Sequence, residues 1–440
     1  MNAENLYLPW TKPDIMKYFF TPLLLVLVIA CEKPAEKKPS ILSESAPEAG
    51  GFSGTRLARL DSSMNDWVKK KWINGAVGFV ARHGRIVYYK SVGYNDEQGA
   101  AAWHRDDIFR IASQTKAITS VAVMMLYEEG KFALEDPVSK FIPSFANEKV
   151  LDKYNPGDTT FTTVPAKRQV TIRDLLTHTS GIDYAQIGSN EATAIYAKNH
   201  ITAGLDVPDD TLSSAISRLG PLPLVHQPGE KWTYGLNTDV LGDLVEIWSG
   251  MTLDEFFRTR IFQPLGMNDT YFNVPEEKAG RLVNFFTEDS TGIKKQDKAF
   301  GQLDMTYPLH KKTYFSGGGG LSSTAYDYAI FLQMLLNNGE YKGVRILSHN
   351  TVRMMTMNQI GELSLGKNKF GLGFEIVTED GSGMTPSQAG TYSWGGAFST
   401  SYWVDPKEDM VILLYCQMWG SRVGDARSAF RALVYQAIND

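Results

Sequence analysis

Ser113 and Lys116 stand three residues apart at the head of an apolar stretch, Ala117-Ile118-Thr119-Ser120-Val121-Ala122-Val123-Met124-Met125-Leu126. Residues three apart share one face of a helix. The first turn of such a helix lies at the positive end of its dipole. A hydroxyl there, with an amine beside it to accept its proton, is a serine nucleophile and its activating base within one turn. The plainer reading is an N-cap serine beside a solvated lysine. Ser-x-x-Lys is a weak pattern alone, and Ser364-Leu365-Gly366-Lys367 repeats it in a Gly- and Asn-rich stretch that reads as loop. What sets Ser113 apart is that Phe109-Arg110-Ile111-Ala112 leads straight into a helix apolar nearly all round, which predicts burial.

Two further segments could complete the chemistry. Tyr234 comes just before a helical pattern running from Val240 to Trp248. A phenol hydrogen-bonded to a lysine can shuttle protons with a serine and a leaving group, although a lone tyrosine more often simply packs. Trp394-Gly395-Gly396-Ala397 lies between strand-like runs. Its glycines allow close approach of a substrate to the backbone. An N–H there could join the N–H of Ser113 to hold an oxyanion; a bulge or turn at a strand end is the alternative.

The elements that would position these groups follow from hydrophobic periodicity. Leu57, Leu60, Met64, Trp67 and Val68 predict an amphipathic helix from near Thr55. Val77 to Val80 and Ile86 to Tyr89 predict a hairpin turning at His83-Gly84-Arg85. The helix headed by Ser113 should stop near Gly130, a C-cap glycine. From Val138 to His310 the pattern is mostly helix and loop, as in Ile172 to Leu176 and Val240 to Trp248. Strands return from Phe370; Tyr402 to Val404 and Met410 to Tyr415 flank a turn at Asp405-Pro406-Lys407-Glu408. A last helix carries Ala426, Phe430, Leu433, Val434 and Ala437 on one face. Strands at both ends with helices between predict an α/β (α+β) fold. Its antiparallel sheet would be built from both chain ends and flanked by helices, with an inserted, mainly helical region.

With 440 residues, 43% of them hydrophobic, the chain can bury a large core. Its 21% charged content and net charge of −5 argue against a nucleic-acid partner, which needs basic patches. The seven histidines, His83, His104, His178, His200, His226, His310 and His349, form no zinc-protease pattern. The Gly317 to Gly320 run is not followed by Gly-Lys-Ser/Thr and so is no phosphate loop. No metal or cofactor is predicted. At the N-terminus, Met16-Lys17 precedes the apolar run Leu23 to Ala30, too short to span a membrane comfortably. Val28-Ile29-Ala30-Cys31 is similar to a bacterial lipobox. Residues 1–31 are therefore read as a lipoprotein signal lipidated at Cys31, with Met16 an alternative start. Residues 32–54 read as a flexible tether, and 55–440 as the folded body, with sheet regions near 55–137 and 311–440 and the helical region near 138–310. The expected location is extracytoplasmic and membrane-anchored, with the choice of membrane and the oligomeric state open. Cys416, the only other cysteine, sits at the end of an apolar strand and reads as a core thiol.

Taken together, Phe109 to Lys116, Leu175-Leu176-Thr177-His178-Thr179-Ser180-Gly181-Ile182, Tyr234, Pro264-Leu265-Gly266-Met267, Ser316 to Ser323 and Trp394-Gly395-Gly396 resemble the serine β-lactamase-like superfamily. The branch is that of class C β-lactamases and family VIII carboxylesterases, and the resemblance runs from about Thr55 to the C-terminus. It implies the β-lactamase/transpeptidase-like fold, Ser113 as acylated nucleophile, Lys116 and Tyr234 as proton-transfer pair, and the Ala397 N–H as second oxyanion donor. It also implies that His178 is structural. Two departures bear on substrate. The family's Tyr-x-Asn becomes Tyr234-Gly235-Leu236, with Asn237 one place later as the candidate substrate contact. The Lys-Thr-Gly or His-x-Gly that would meet a β-lactam carboxylate becomes Trp394-Gly395-Gly396, and tryptophan supplies no charge. The implied activity is ester hydrolysis through an acyl-enzyme. A β-lactamase or D-amino-acid peptidase is the alternative within enzymes, and a non-catalytic penicillin-binding-type envelope receptor the alternative outside them.

Overall fold

His83 and Gly84 both have positive φ, 55° and 71°, the two-residue turn whose twist matches that of paired strands. They join two strands of the eight-stranded sheet on which the chain is built. In the computed structural model, which describes residues 41–201, 203–206, 209–299 and 303–440, that sheet comprises β1 (Ser43–Glu44), β2 (Gly75–Arg82), β3 (Arg85–Gly93), β4 (Lys369–Phe370), β5 (Glu375–Ile376), β6 (Tyr392–Gly395), β7 (Thr400–Asp405) and β8 (Met410–Tyr415). Their spatial order is β1-β3-β2-β8-β7-β6-β5-β4. All neighbours are antiparallel except β1 and β3. The central pair, β2 and β8, therefore joins the two halves of the sequence, with Val77 opposite Tyr415 and Arg82 opposite Met410. The sheet predicted from both chain ends is present.

Both central strands are buried throughout, so they read as continuous apolar runs instead of alternating ones. Side chains on successive residues still face opposite ways. Ala76, Val80, Ile412 and Leu414 pack with helix α1 (Arg59–Lys69) and the last helix of the chain, through Leu60, Met64, Trp67, Phe430 and Val434. Val77, Phe79, Val411 and Leu413 belong to the main core, with helices α2 (Thr115–Glu128), α3 (Asn237–Ser249) and α4 (Ala325–Leu336). The last helix, α5, is Val423–Tyr435. Every residue of α2 from Thr115 to Leu126 is buried, so the helix that carries the Ser-x-x-Lys motif is fixed on all sides.

Two expectations change. The region 138–310 also holds hairpins at Lys149–Tyr154 with Phe161–Pro165, and at Phe285–Asp289 with Gly292–Gln296. Most of their residues are exposed or half-buried, so no period-2 apolar signal marks them. The tether expected through residue 54 is folded from Leu42 onward: Ser43–Glu44 adds to β3, Leu42 and Phe52 are buried, and the Leu42 N–H donates to the Tyr341 hydroxyl at 3.1 Å. Two widely spaced apolar residues anchor a segment whose composition is otherwise that of a linker. Cys31 and the rest of the leader lie outside the described residues. Cys416 is buried, and burial pushes its thiol up to about 12, as fits a core thiol.

Candidate active site

The turn that presents Ser113 is held from several directions. Ala112, a non-glycine residue, has φ 43°, a conformation tolerated only where surrounding structure enforces it. The enforcement is visible. The Ile111 N–H donates to Leu321 O at 3.1 Å, and the Tyr415 hydroxyl donates to Gln114 Oε1 at 2.7 Å. The guanidinium of Arg110, itself buried, donates to the carbonyls of Val283 and Met305. Ser113 is half-buried at the start of α2, while Ser364 and Lys367 are exposed in a turn, as the loop reading expects.

Lys116 brings its ammonium to Ser113 Oγ at 3.4 Å, to the Tyr184 hydroxyl at 3.0 Å and to Gly318 O at 2.7 Å. It also lies between two aromatic rings, 5.3 Å from the centroid of Tyr184 and 4.6 Å from that of Tyr234. Burial works against its charge, but the two phenols outweigh burial and hold its pKa above the usual lysine value. Burial raises Tyr184 as well, against the pull of Lys116. The Tyr234 hydroxyl is buried beside Lys116.

Glycines make this crowding possible. The run Ser316 to Leu321 threads between α2 and α3: Thr119 Oγ1 donates to Gly317 O at 2.7 Å, and a Cβ on Gly317 would meet Thr238 O at 2.5 Å. At Gly318 a Cβ would lie 2.6 Å from Asp239 Oδ2. At Gly396 it would lie 2.3 Å from Ile111 O. The glycine expected to admit substrate therefore also lets the end of β6 close on the nucleophile's own turn. The Ser399 N–H donates to Gly396 O at 2.9 Å. Across a trans peptide this aims the Ala397 N–H the opposite way. Neither that N–H nor the one of Ser113 has a backbone partner among the described residues.

Trp394 packs on Tyr234 (centroids 5.5 Å apart) and Phe370 (5.6 Å), giving the site an uncharged aromatic wall. Asn237 corrects an expectation. It is fully buried, tied to Ser180 and, at 3.0 Å, to His178 Nδ1, and it lines neither cavity beside Ser113. Its place one residue after the usual asparagine turns it inward at the start of α3. His178 is buried too, and burial, reinforced by Lys116, drives its pKa far down. It is a neutral ring packed on Tyr234. Tyr184 and Asp239 are additions that periodicity gave no reason to single out. Asp239 is buried in the first turn of α3; burial pushes it up to about 6, partly offset by Ser316 and Lys116.

Ser113, Ile187 and Ala397 line two cavities at once. One, about 340 Å³, is walled by Ile187, Ala203, Leu205 and Leu303, with Asp206 held by His310 at 3.0 Å. The other, about 530 Å³, runs past Tyr234 and Trp394. A carbonyl placed at their junction meets the Ser113 hydroxyl, two unpartnered N–H groups and a lysine with two tyrosines. Among the described residues no group of histidine, cysteine or carboxylate side chains is arranged to hold a metal.

Comparison with known proteins agrees with this geometry. The family profile described as Beta-lactamase matches residues 60–436. Protein Rv1367c of Mycobacterium tuberculosis is 34% identical over 372 residues, covering 81% of this chain and 89% of the relative. Esterase EstB of Burkholderia gladioli is 30% identical over 405 residues, covering 88% and 98%. Among solved structures, EstCE1, titled a hydrolase with promiscuous acyltransferase activity, superposes with a TM-score of 0.74 at 26% identity, covering 87% of this chain and 99% of that one.

Proposed function

Because this chain belongs to the beta-lactamase family, a family of serine hydrolases, we propose that it is a carboxylesterase that works through an acyl-enzyme on Ser113. The Ser113 oxygen attacks the ester carbonyl, and its proton passes into the Lys116/Tyr234 pair in the fraction of molecules in which that pair has lost a proton. The N–H groups of Ser113 and Ala397 hold the oxyanion. The pair returns the proton to the departing alkoxide, and a water repeats the sequence to release the acid. The observation that carries the ester reading is Trp394. It presents an indole against Tyr234 where related β-lactamases place a cation. The relative named Esterase EstB supports it.

A β-lactam carboxylate beside Trp394 forgoes a charge-assisted hydrogen bond of ~1.5–3 kcal/mol, roughly ten- to a hundredfold in rate or affinity. A neutral ester forgoes nothing. The expected result is efficient turnover of p-nitrophenyl butyrate and poor or no turnover of cephalosporins, read as kcat/KM, with a fluorophosphonate probe attached to Ser113. Preference for cephalosporins by orders of magnitude would replace the esterase reading with the β-lactamase one. A chain that neither labels nor turns over either substrate would be the non-catalytic receptor.

The lipobox-like sequence supports a further proposal, a mature protein that begins at lipidated Cys31 and stays with the membrane. Mass spectrometry of the mature N-terminus should find acyl chains there. An unmodified terminus downstream of Cys31 would refute it.

A further inference from the structure

The larger cavity does not end at Trp394. Trp394 and Gly395 extend beyond the end of β5, whose last contacts with β6 are Glu375 to Ser393 and Ile376 to Tyr392. Past that free edge the cavity reaches Ser401 and Trp403 on β7 and Arg427 and Arg431 on α5. Arg427 and Arg431 are one helical turn apart and share a face. Arg431 lies 5.3 Å from the Trp403 ring. Neither arginine forms an ion pair with a carboxylate among the described residues, and Arg431 Nε is buried with no hydrogen-bond partner. Burial holds Arg431 below the usual arginine value, with Arg427 adding to the fall and Tyr435 and Glu375 opposing it. Glu375 lines the same cavity and acts on Arg431 as a charge at a distance, forming no ion pair with it, and its carboxylate accepts from Asn368 Nδ2 at 2.6 Å. Ser401 Oγ, on a residue only 3% exposed, and Thr385 Oγ1 are buried on the same wall without partners.

An exposed Arg427, a half-buried Arg431, neither in an ion pair among the described residues, orphaned hydroxyls and an opening to Ser113 make a site that can take a further anion. We propose that Arg427 and Arg431, with Ser401, bind a carboxylate carried by the substrate at a distance from its scissile ester. Trp403 lies opposite Ser393, three residues back along β6 from Gly396. At a strand's rise of ~3.3 Å per residue this sets the anion at least ~10 Å from the Ser113 and Ala397 N–H groups, since the arginines also stand off the sheet on α5. The substrate class is then an extended ester with a remote carboxylate. A β-lactam, whose carboxylate lies close to the reacting carbonyl, does not reach the pair. This rests on the esterase reading for the chemistry but not for the binding.

The test is a spacing series in two arms: p-nitrophenyl monoesters of succinic, adipic and suberic acids, and butyrate esters of ω-hydroxy acids of increasing length. Each acid is compared with its own methyl ester. In one arm the acid should be preferred in kcat/KM by tenfold or more, through KM, with a maximum at the longer spacings. In Arg427→Gln/Arg431→Gln the ratio of acid to methyl ester should fall to about one. On Ser113→Ala, calorimetry with the same acids should show the same arginine-dependent preference without turnover. Turnover of esters with no preference for acids, or a preference that survives the double substitution, overturns the anion site and leaves the esterase standing. Arginine-dependent binding to Ser113→Ala without turnover by the wild type does the reverse.

Discussion

Ser113→Ala should lower ester turnover by on the order of 10⁶, the loss seen when a serine nucleophile is removed from a comparable machinery, while Ser364→Ala should leave turnover within about twofold. The contrast follows from position. Both serines head a Ser-x-x-Lys, but Ser364 is exposed in a turn, and Ser113 sits where two cavities meet. The fold should not suffer. The Ser113 hydroxyl receives one long contact, 3.4 Å from Lys116, and alanine is the best helix former. Thermal melting within a degree or two of wild type, measured beside kcat, assigns the loss to chemistry. Near wild-type activity in Ser113→Ala would remove the whole assignment of the site.

Lys116→Ala and Tyr234→Phe should each cost about 10²–10⁴ in kcat, the range of general acid–base groups, and the double variant little more than the worse single one. The ammonium of Lys116 touches the serine and lies over the Tyr234 ring, so in the proposed mechanism both residues serve one path for one proton. The sign of the pH dependence follows. Lys116 is held above its ordinary value, so the form able to take the serine proton grows as pH rises, and kcat/KM should climb through neutrality into the alkaline range. Lys116→Ala should flatten that limb. Clean additivity of the two losses, or a rate that falls above neutrality with the protein still folded, would show that the two residues do not share a proton path.

Ser113 and Lys116 could be read from the sequence because their chemistry is local: three residues of spacing and the apolar helix that follows. Tyr234 was legible only by its place before a helix. Tyr184 was not, since it reaches Lys116 by way of a loop whose course depends on Gly181, at φ 88°, where a Cβ would strike His226 O at 2.4 Å. No periodicity encodes that path. Asn237 carried the right residue type, but one residue of offset on a helix is a large rotation, enough to turn a substrate contact into a core hydrogen bond. Arg427 and Arg431 stand off the apolar stripe of α5, where the sequence alone gives no reason to single them out. Their meaning depends on where β7 lies beneath them. The large sheet was legible because its central strands are apolar throughout, and the two hairpins between residues 149 and 296 were not, because water covers most of their surface.

The central pairing of β2 with β8 also governs when the molecule can exist. Arg82 and Asp440, ion-paired at 2.7 Å, are 358 residues apart in sequence. β2 and β3 leave the ribosome long before β8, and their apolar edge then waits for it. Closing so long a loop before any of its contacts form is slow, and a half-made sheet exposes an edge that invites aggregation. Ala112 and the oxyanion donors depend on that closure through Tyr415 and β6. The emerging chain therefore cannot fix the turn of Ala112 and Ser113 until β8 has been made, so the site closes late. Removing even the last few residues should be felt first as a failure to mature, and only then as a loss of activity.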